Sequence, residues 1–187
     1  MPAQSVLLAV DETILRWFPP LRNCWSLRGQ QAVVPITGRN DRRVLTAALN
    51  LRSGKRVVTL AIRQRQENFQ AFLRELRRRY GRRRIYLLLD ELSSHTAPRT
   101  RALAAQLDIQ LIWLPKQHPE LNPLDQLFKE LKARVAANRQ FRTMQNQALS
   151  AQLWIEILTG LDARRKAGLL SRRCWLGNLC RNFCIPT

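Results

Sequence analysis

The chain has 187 residues, of which 32 are Lys or Arg and 13 are Asp or Glu, giving a formal net charge of +19. This length suits one domain with a substantial core, and no apolar run approaches the roughly 20 residues of a membrane span, which excludes a membrane-embedded protein. So large an excess of positive charge predicts a polyanionic partner, of which nucleic acid is the usual one. Because 27 of the 32 basic residues are Arg, GC-rich codon usage is an alternative source of part of the charge.

The first half of the chain predicts β-strands followed by one helix. Apolar runs and alternating patterns predict strands at residues 5–10, 32–36, 43–49 and 56–62. The segment 13–30 has no period and is predicted to be a loop, or a loose hairpin, packed by its aromatic residues. Apolar residues at helical spacing between Glu67 and Tyr80 then predict an amphipathic helix that Gly81 ends.

In the second half, strands alternate with helices. Strands are predicted at residues 85–90 and 109–113, and helices at 98–107, 124–135 and 145–161. Asn122 and Pro123 give a start signal for the middle helix, because Asn caps a first turn and Pro suits the first helical position. We therefore expect an α/β fold, with a mixed five-stranded sheet flanked by helices over residues 1–140 and a helical, basic extension over residues 141–187.

Three aspartates stand at informative places. Asp11 and Asp90 each follow a buried apolar run, and Asp125 lies in the first turn of a predicted helix after 34 intervening residues. An ionised carboxylate at a buried strand end costs several kcal/mol unless it is hydrogen-bonded, paired or bound to metal. Structural interpretations exist for each: a turn-initiating acid after a strand, or, for Asp125, an acid that offsets the helix dipole. Their joint placement favours a shared site.

Converging aspartates suit divalent metal ions. Phosphoryl transfer on DNA needs charge stabilised on the attacking and leaving oxygens, and two ions roughly 3.5–4 Å apart provide this. Mg²⁺ prefers oxygen ligands, and Mn²⁺ can substitute for it. We predict that Asp11, Asp90 and Asp125 bind two Mg²⁺ ions and carry catalysis. Because neighbouring side chains of a strand point to opposite faces, Glu12 and Glu91 are assigned to the surroundings of the site or to solvent.

Basic residues predict the contacts with DNA. An arginine cluster surrounds the end of the helix near residue 80, and it exceeds what a helix dipole needs; the alternative is a solvated helix end. The residues predicted to bind DNA are Arg77, Arg78, Arg79, Arg82, Arg83, Lys116 and Lys132. His95 is interpreted as a loop-capping or DNA-facing group, with metal ligation as the alternative.

One motif is specific enough to indicate a family. It consists of Leu114-Pro115, the run from Pro119 to Asp125, Phe128 and Leu131-Lys132. It resembles the Leu-Pro, Pro-Glu-Leu-Asn-Pro-hydrophobic-acid, aromatic, Leu-Lys signature of DDE/D transposases of the mariner superfamily, particularly their bacterial insertion-sequence branch. Asp90 with His95 five residues later is similar to the family's second acidic segment, and the 34-residue spacing is the one mariner-like enzymes use.

Some positions depart from that family pattern. Asp125 stands where many bacterial members carry Glu, although mariner itself uses Asp. Phe128 replaces a commoner Trp, and Glu91 occupies a position that is often Asn. The sequence opens directly on the first strand of the catalytic domain, without the family's helix-turn-helix domain. We expect either that a separate transposase half supplies that domain or that this chain is a truncated remnant.

The resemblance implies a ribonuclease H-like catalytic domain in which the three aspartates bind metal. It implies an enzyme that cuts DNA at the ends of an insertion element and joins the freed 3′-hydroxyl to target DNA, typically at TA. Its partners would be double-stranded DNA, as element ends and target, and a second subunit in a homodimer when active, with no membrane; its location would be cytoplasmic and nucleoid-associated. The alternatives are an inactive remnant that only binds DNA, another ribonuclease H-like nuclease, and a basic RNA-binding protein.

Overall fold

One mixed sheet of five strands forms the centre of the fold, as described by a computed structural model for residues 5–177. The sheet order is β3-β2-β1-β4-β5, with β1 (Val6–Arg16), β2 (Arg42–Asn50), β3 (Arg56–Ala61), β4 (Ile85–Leu89) and β5 (Ile109–Trp113). The first three strands pair antiparallel, and β4 and β5 run parallel to β1. The predicted mixed five-stranded sheet is confirmed.

Helices pack on both faces of the sheet. They are α1 (Gln66–Tyr80), α2 (Ser93–Thr96), α3 (Pro98–Gln106), α4 (Pro123–Leu131), α5 (Met144–Ile157) and α6 (Gly160–Lys166), with a 3-10 turn at Pro119–Leu121 and a π-helical turn at Lys132–Ala136. Across the part of the chain that the structure describes, no helix has the length and apolar character needed to cross a membrane.

Two apolar clusters hold these layers together. One lies between the sheet and α1 with α3, and the other lies between the sheet and α4, α5 and α6. Alternate residues of β1 feed the two clusters: Leu8 and Val10 face α1, whereas Ala9 faces α4. This alternation is the period of two expected of a strand buried on both faces.

The first strand is longer than predicted. It continues to Arg16 instead of ending at Asp11, because every residue from Leu8 to Arg16 pairs with β2. Thr13 and Leu15 stay buried in this second half of the strand. Asp11 therefore lies inside β1, and of the two aspartates assigned to strand ends only Asp90 follows one.

The loop between β1 and β2 is more exposed than predicted. Residues 32–36 form no strand, and Val33 and Ile36 are exposed. Trp17 packs against the core as expected of an aromatic residue in this segment, but Trp25 lies entirely in solvent. Residues 32–36 therefore do not join the sheet despite their alternating pattern. The three antiparallel strands are β1, β2 and β3.

Residues beyond 140 belong to the same core as the sheet. Ala148 and Ile155 of α5 and Ala163 of α6 are buried in the cluster that contains α4. Arg56, the first residue of β3, donates to the carbonyl oxygens of Ile155 at 3.2 Å and Glu156 at 2.9 Å, which the end of α5 leaves without helical partners. The boundary predicted at residue 140 therefore separates two stretches that share one core; residues 1–4 and 178–187 lie outside the described residues.

The turn between β2 and β3 touches the start of α6 too closely for any side chain. A Cβ atom on Gly160 would lie 2.3 Å from the carbonyl oxygen of Ser53. One on Gly54, which has a φ of +69°, would lie 2.0 Å from the carbonyl oxygen of Gly160. Glycine at both positions is what lets the chain after α5 dock on the sheet.

Gly160→Ala is expected to lower the free energy of unfolding by about 2 kcal/mol or more, because the backbone of the Ser53 turn must move to admit the methyl group. Gly38→Ala is the matched control, since a Cβ there meets no atom within 4 Å. Urea unfolding followed by circular dichroism measures both variants. Equal stability of wild type and Gly160→Ala would contradict this docking.

Candidate active site

Asp11 and Asp90 occupy neighbouring positions on adjacent strands. The parallel pairing of β1 with β4 runs as far as Ala9 opposite Leu88, and two further residues bring Asp11 opposite Asp90. Neighbouring strands lie about 4.8 Å apart. Because β4 ends one residue before Asp90 while β1 continues five residues beyond Asp11, a notch opens in the sheet at this point.

Both aspartates share the sheet face that α4 covers. Ala9 and Leu88 belong to the apolar cluster under α4, and side chains two residues apart on a strand share a face. Asp11 lies two residues after Ala9, and Asp90 two after Leu88. The third residue of α4 is Asp125, so all three predicted aspartates are directed to one side of the notch.

Asn122 fixes the start of α4 against β1. Its Oδ1 accepts a hydrogen bond from the Leu124 amide at 3.1 Å, which confirms the predicted helix cap, and its Nδ2 donates to the Val10 carbonyl oxygen at 2.8 Å. The residue is only 4% exposed. Since Val10 immediately precedes Asp11, this pair of hydrogen bonds holds the first turn of α4, with Asp125, beside Asp11.

The pKa of Asp11 reflects the closeness of the three carboxylates. Burial has the largest effect and raises this pKa to about 7; the hydrogen bond from the Glu12 amide at 2.8 Å lowers it, and the negative charges of Asp90 and Asp125 raise it. The half-buried Lys132 stands in the same field, where burial lowers its pKa and the charges of Asp11 and Asp125 oppose that change. A cation among these carboxylates favours their ionised forms.

The aspartates are held by protein groups, and they do not close around one point. Asp90 Oδ1 lies 3.0 Å from His95 Nδ1, and Asp125 Oδ2 lies 2.7 Å from Lys129 Nζ. Among residues 5–177, no three His, Cys, Asp or Glu side chains form a ready-made metal site. The donor set itself, three carboxylates at an open notch, fits a hard divalent cation. Lys129 occupies one oxygen of Asp125, so a cation shared by all three aspartates would compete with this ion pair.

His95 links Asp90 to a fourth carboxylate, that of Glu12. Its ring has no exposed surface and lies 4.0 Å from the Phe69 ring, centroid to centroid, and its Nε2 is 3.6 Å from Glu12 Oε1. Burial lowers the pKa of His95, but the interactions with Asp90 and Glu12 outweigh burial and raise it to about 9. His95 is therefore a buried cation between two carboxylates. Its Nδ1 also lies 3.2 Å from the Asp90 carbonyl oxygen, as the loop-capping interpretation expects, whereas its complete burial contradicts the DNA-facing one.

Glu12 and Glu91 differ in exposure and in their partners. The Glu12 side chain is 5% exposed and also accepts a hydrogen bond from Gln64 Nε2, so of its two predicted places it takes the surroundings of the site and not solvent. Glu91 is partly exposed and pairs with Lys116 at 3.1 Å. No signal in the sequence indicated the contact between Glu12 and His95. The five-residue spacing of Asp90 and His95 relates those two residues to each other, and it cannot reveal a partner on another strand.

The basic residues predicted to bind DNA divide between opposite ends of the sheet. Lys116 and Lys132 lie at the end that carries the aspartates. The arginine cluster precedes β4, whose five residues separate it from Asp90 by roughly 16 Å at 3.3 Å per residue. The cluster is therefore too far away to contact a phosphate held by Asp90.

Arg77 is bound internally. Its guanidinium group donates to the carbonyl oxygens of Leu107 at 2.7 Å, Arg83 at 2.7 Å and Asp108 at 2.9 Å, and also to that of Gly81. Arg77 is thereby reassigned from a DNA contact to a link between the ends of α1 and α3. Elsewhere in the cluster, Arg78 forms a two-pronged pair with Glu75, whereas Arg79, Arg82 and Arg83 are exposed.

Comparison with known proteins places this geometry in a family. The DDE superfamily endonuclease domain matches residues 6–147. The insertion element IS630 39 kDa protein of Shigella sonnei, described as uncharacterized, is 27% identical over 144 residues, which are 76% of this chain and 42% of that protein. The chain thus spans less than half the length of this curated relative.

Solved structures share the fold. The Mos1 transposase paired-end complex with left transposon end matches 95% of this chain and 55% of its own chain, with a TM-score of 0.70 at 18% identity. The Mos1 mariner paired-end complex with Mg matches 97% of this chain and 56% of its own, also with a TM-score of 0.70 at 18% identity. The predicted ribonuclease H-like fold is confirmed by these matches.

Two substitutions at Asn122 are expected to distinguish how much each of its two hydrogen bonds contributes to stability. Asn122→Ala removes the helix cap and leaves the Val10 carbonyl unpaired, for an expected loss of about 2–3 kcal/mol of unfolding free energy; Asn122→Ser keeps a capping oxygen but cannot reach Val10, for a loss of about 1–2 kcal/mol. Denaturant unfolding measures both. Wild-type stability in Asn122→Ser would show that the link from α4 to β1 is not what holds the helix.

Proposed function

We propose that this chain, which belongs to the DDE superfamily endonucleases, is the catalytic part of a DNA transposase that cuts and joins DNA with divalent metal ions. The observation that carries the proposal is the convergence of Asp11, Asp90 and Asp125 at the notch where β4 ends beside β1. The likeness to an insertion-element protein supports it.

The three aspartates would hold two Mg²⁺ ions, for which Mn²⁺ can substitute. When bound, such ions stabilise charge on the attacking and leaving oxygens of a phosphodiester. The rest of the site orients the ligands: His95 holds Asp90 by its Nδ1, and Asn122 holds the turn that carries Asp125. Burial and neighbouring negative charges raise the pKa of Asp11, and a nearby cation would favour its ionised form.

The proposed partner is double-stranded DNA, both as element ends and as target, with cleavage followed by joining of a 3′-hydroxyl. The net charge of +19 suits such a polyanion. A separate DNA-binding transposase half is a further proposed partner, and the active form would be a homodimer. A cytoplasmic, nucleoid-associated location follows from this substrate. Lys116 and Lys132 would contact DNA near the reacting phosphate, and Arg79, Arg82 and Arg83 would contact it farther away.

An inactive remnant that only binds DNA is the second candidate. One observation favours it: Asp125 is paired with Lys129 and so does not close the site with Asp11 and Asp90. A remnant of this kind would keep the fold and the positive charge but would not cut DNA in any divalent metal.

Asp11→Asn, Asp90→Asn and Asp125→Asn are each expected to reduce Mg²⁺-dependent nicking of supercoiled plasmid by about 100-fold or more, because an amide cannot replace a carboxylate as a metal ligand. Asp108→Asn is the matched control. Asp108 lies at the opposite end of the sheet, paired with Arg84 at 3.5 Å, and its φ of +48° is one that Asn accepts.

Gel analysis of nicked and linear plasmid, in Mg²⁺ and in Mn²⁺, measures the rates. Nicking by wild type and Asp108→Asn alone supports the enzyme. Plasmid binding without nicking by wild type identifies the remnant, and equal nicking by all four variants would exclude the three aspartates as the catalytic set.

A further inference from the structure

The end of the sheet that carries the aspartates has arginines of its own, which the sequence did not single out. Arg42 begins β2, and Arg63 and Arg65 follow β3. Because β2 is antiparallel to β1 and to β3, the start of β2 and the end of β3 lie beside the last residues of β1. These arginines therefore lie beyond the notch, away from the arginine cluster before β4.

Two adjoining clefts run between these residues. The first, of about 270 Å³, has the apolar pair Ile14 and Val44 as its floor and is bordered by Arg42, Arg63, Gln64 and Arg65. The second, of about 340 Å³, shares Gln64 and Arg65 with the first and reaches Ser93 and Ser94, in the segment after Asp90. Together they form one groove, called here the arginine groove.

A short series of contacts joins the arginine groove to the candidate active site. Gln64 Nε2 donates to Glu12 Oε2, and Glu12 Oε1 lies 3.6 Å from His95 Nε2. His95 Nδ1 in turn lies 3.0 Å from Asp90 Oδ1. The second cleft also borders the segment that follows Asp90, so a DNA backbone lying in the groove would pass beside the candidate active site.

The chemistry of the groove suits phosphate oxygens. Arg42, Arg63 and Arg65 are exposed, and within residues 5–177 none of them forms an ion pair. Free guanidinium groups bind phosphate with two parallel hydrogen bonds, and serine hydroxyls such as those of Ser93 and Ser94 commonly supply further contacts to a DNA backbone.

We propose that the arginine groove holds the sugar-phosphate backbone of the DNA segment next to the reacting phosphate. This inference rests on the proposed function, since its ligand is the duplex that the aspartates would cut. It adds Arg63 and Arg65 to the residues that the sequence predicted to bind DNA.

The test compares two double variants that each remove two exposed, unpaired arginines. Arg63→Gln/Arg65→Gln alters the groove, and Arg82→Gln/Arg83→Gln alters the opposite end of the sheet. Fluorescence anisotropy of a labelled DNA duplex, across a NaCl series with a metal chelator to prevent cutting, gives the slope of log affinity against log salt. Each lost phosphate contact reduces the slope by about 0.9.

The groove variant is expected to lose about 1.8 from the slope, and the far-end variant less than half as much. Arg63→Lys/Arg65→Lys keeps both charges and is expected to keep the slope, and matching thermal midpoints verify folding. If the far-end variant loses as much of the slope as the groove variant or more, or if the groove variant loses none, the proposed role of the groove is overturned and the proposed function stands. Failure of wild type to bind the duplex overturns both.

Discussion

The geometry of the candidate site depends on a mismatch between two parallel strands. β1 has 11 residues and its neighbour β4 has five, so the second half of β1 has no partner on that side. Where the pairing stops, the side-chain amide of Asn122 donates to the Val10 carbonyl oxygen and attaches α4 to the sheet. The end of β4, the middle of β1 and the first turn of α4, each carrying one aspartate, meet there for that reason.

Concentrating negative charge at this point requires compensation, even in a chain with a net charge of +19. Protonated His95 lies between Asp90 and Glu12, and Lys129 pairs with Asp125. Asp11 has no such direct partner among the described residues, and burial with two neighbouring carboxylates raises its pKa to about 7. A divalent cation bound beside Asp11, as proposed, would supply the compensation that Asp11 otherwise lacks.

Local signals in the sequence were sufficient for several elements. The apolar run of β4, the helical spacing of α1 and the Asn122 cap all depend on residues close together in the chain, and all three were predicted correctly. The length of β1 was missed because its extension depends on pairing with β2, which lies 25 residues further along. Residues 32–36 alternate like a strand, but an alternating segment forms a strand only where a sheet edge accepts it.

The roles of individual side chains were harder to predict from the sequence than the helices and strands. Arg77 looks like its neighbours in the sequence, yet carbonyl oxygens from the ends of two helices surround it. Arg63 and Arg65 are two of 27 arginines, and only the fold places them along clefts that reach the segment after Asp90. His95 and Glu12 are 83 residues apart and meet through the register of β1 with β4. Contacts of this kind follow from tertiary structure, which composition and spacing do not encode.

Asp11, Asp90 and Asp125 are proposed to share divalent metal ions. The most direct measurement is a crystal structure of the protein with Mn²⁺, in which anomalous scattering locates each ion. We expect density at the notch within about 2–2.5 Å of carboxylate oxygens from all three aspartates. Manganese bound elsewhere, or held at the notch by only one of the three, would contradict it.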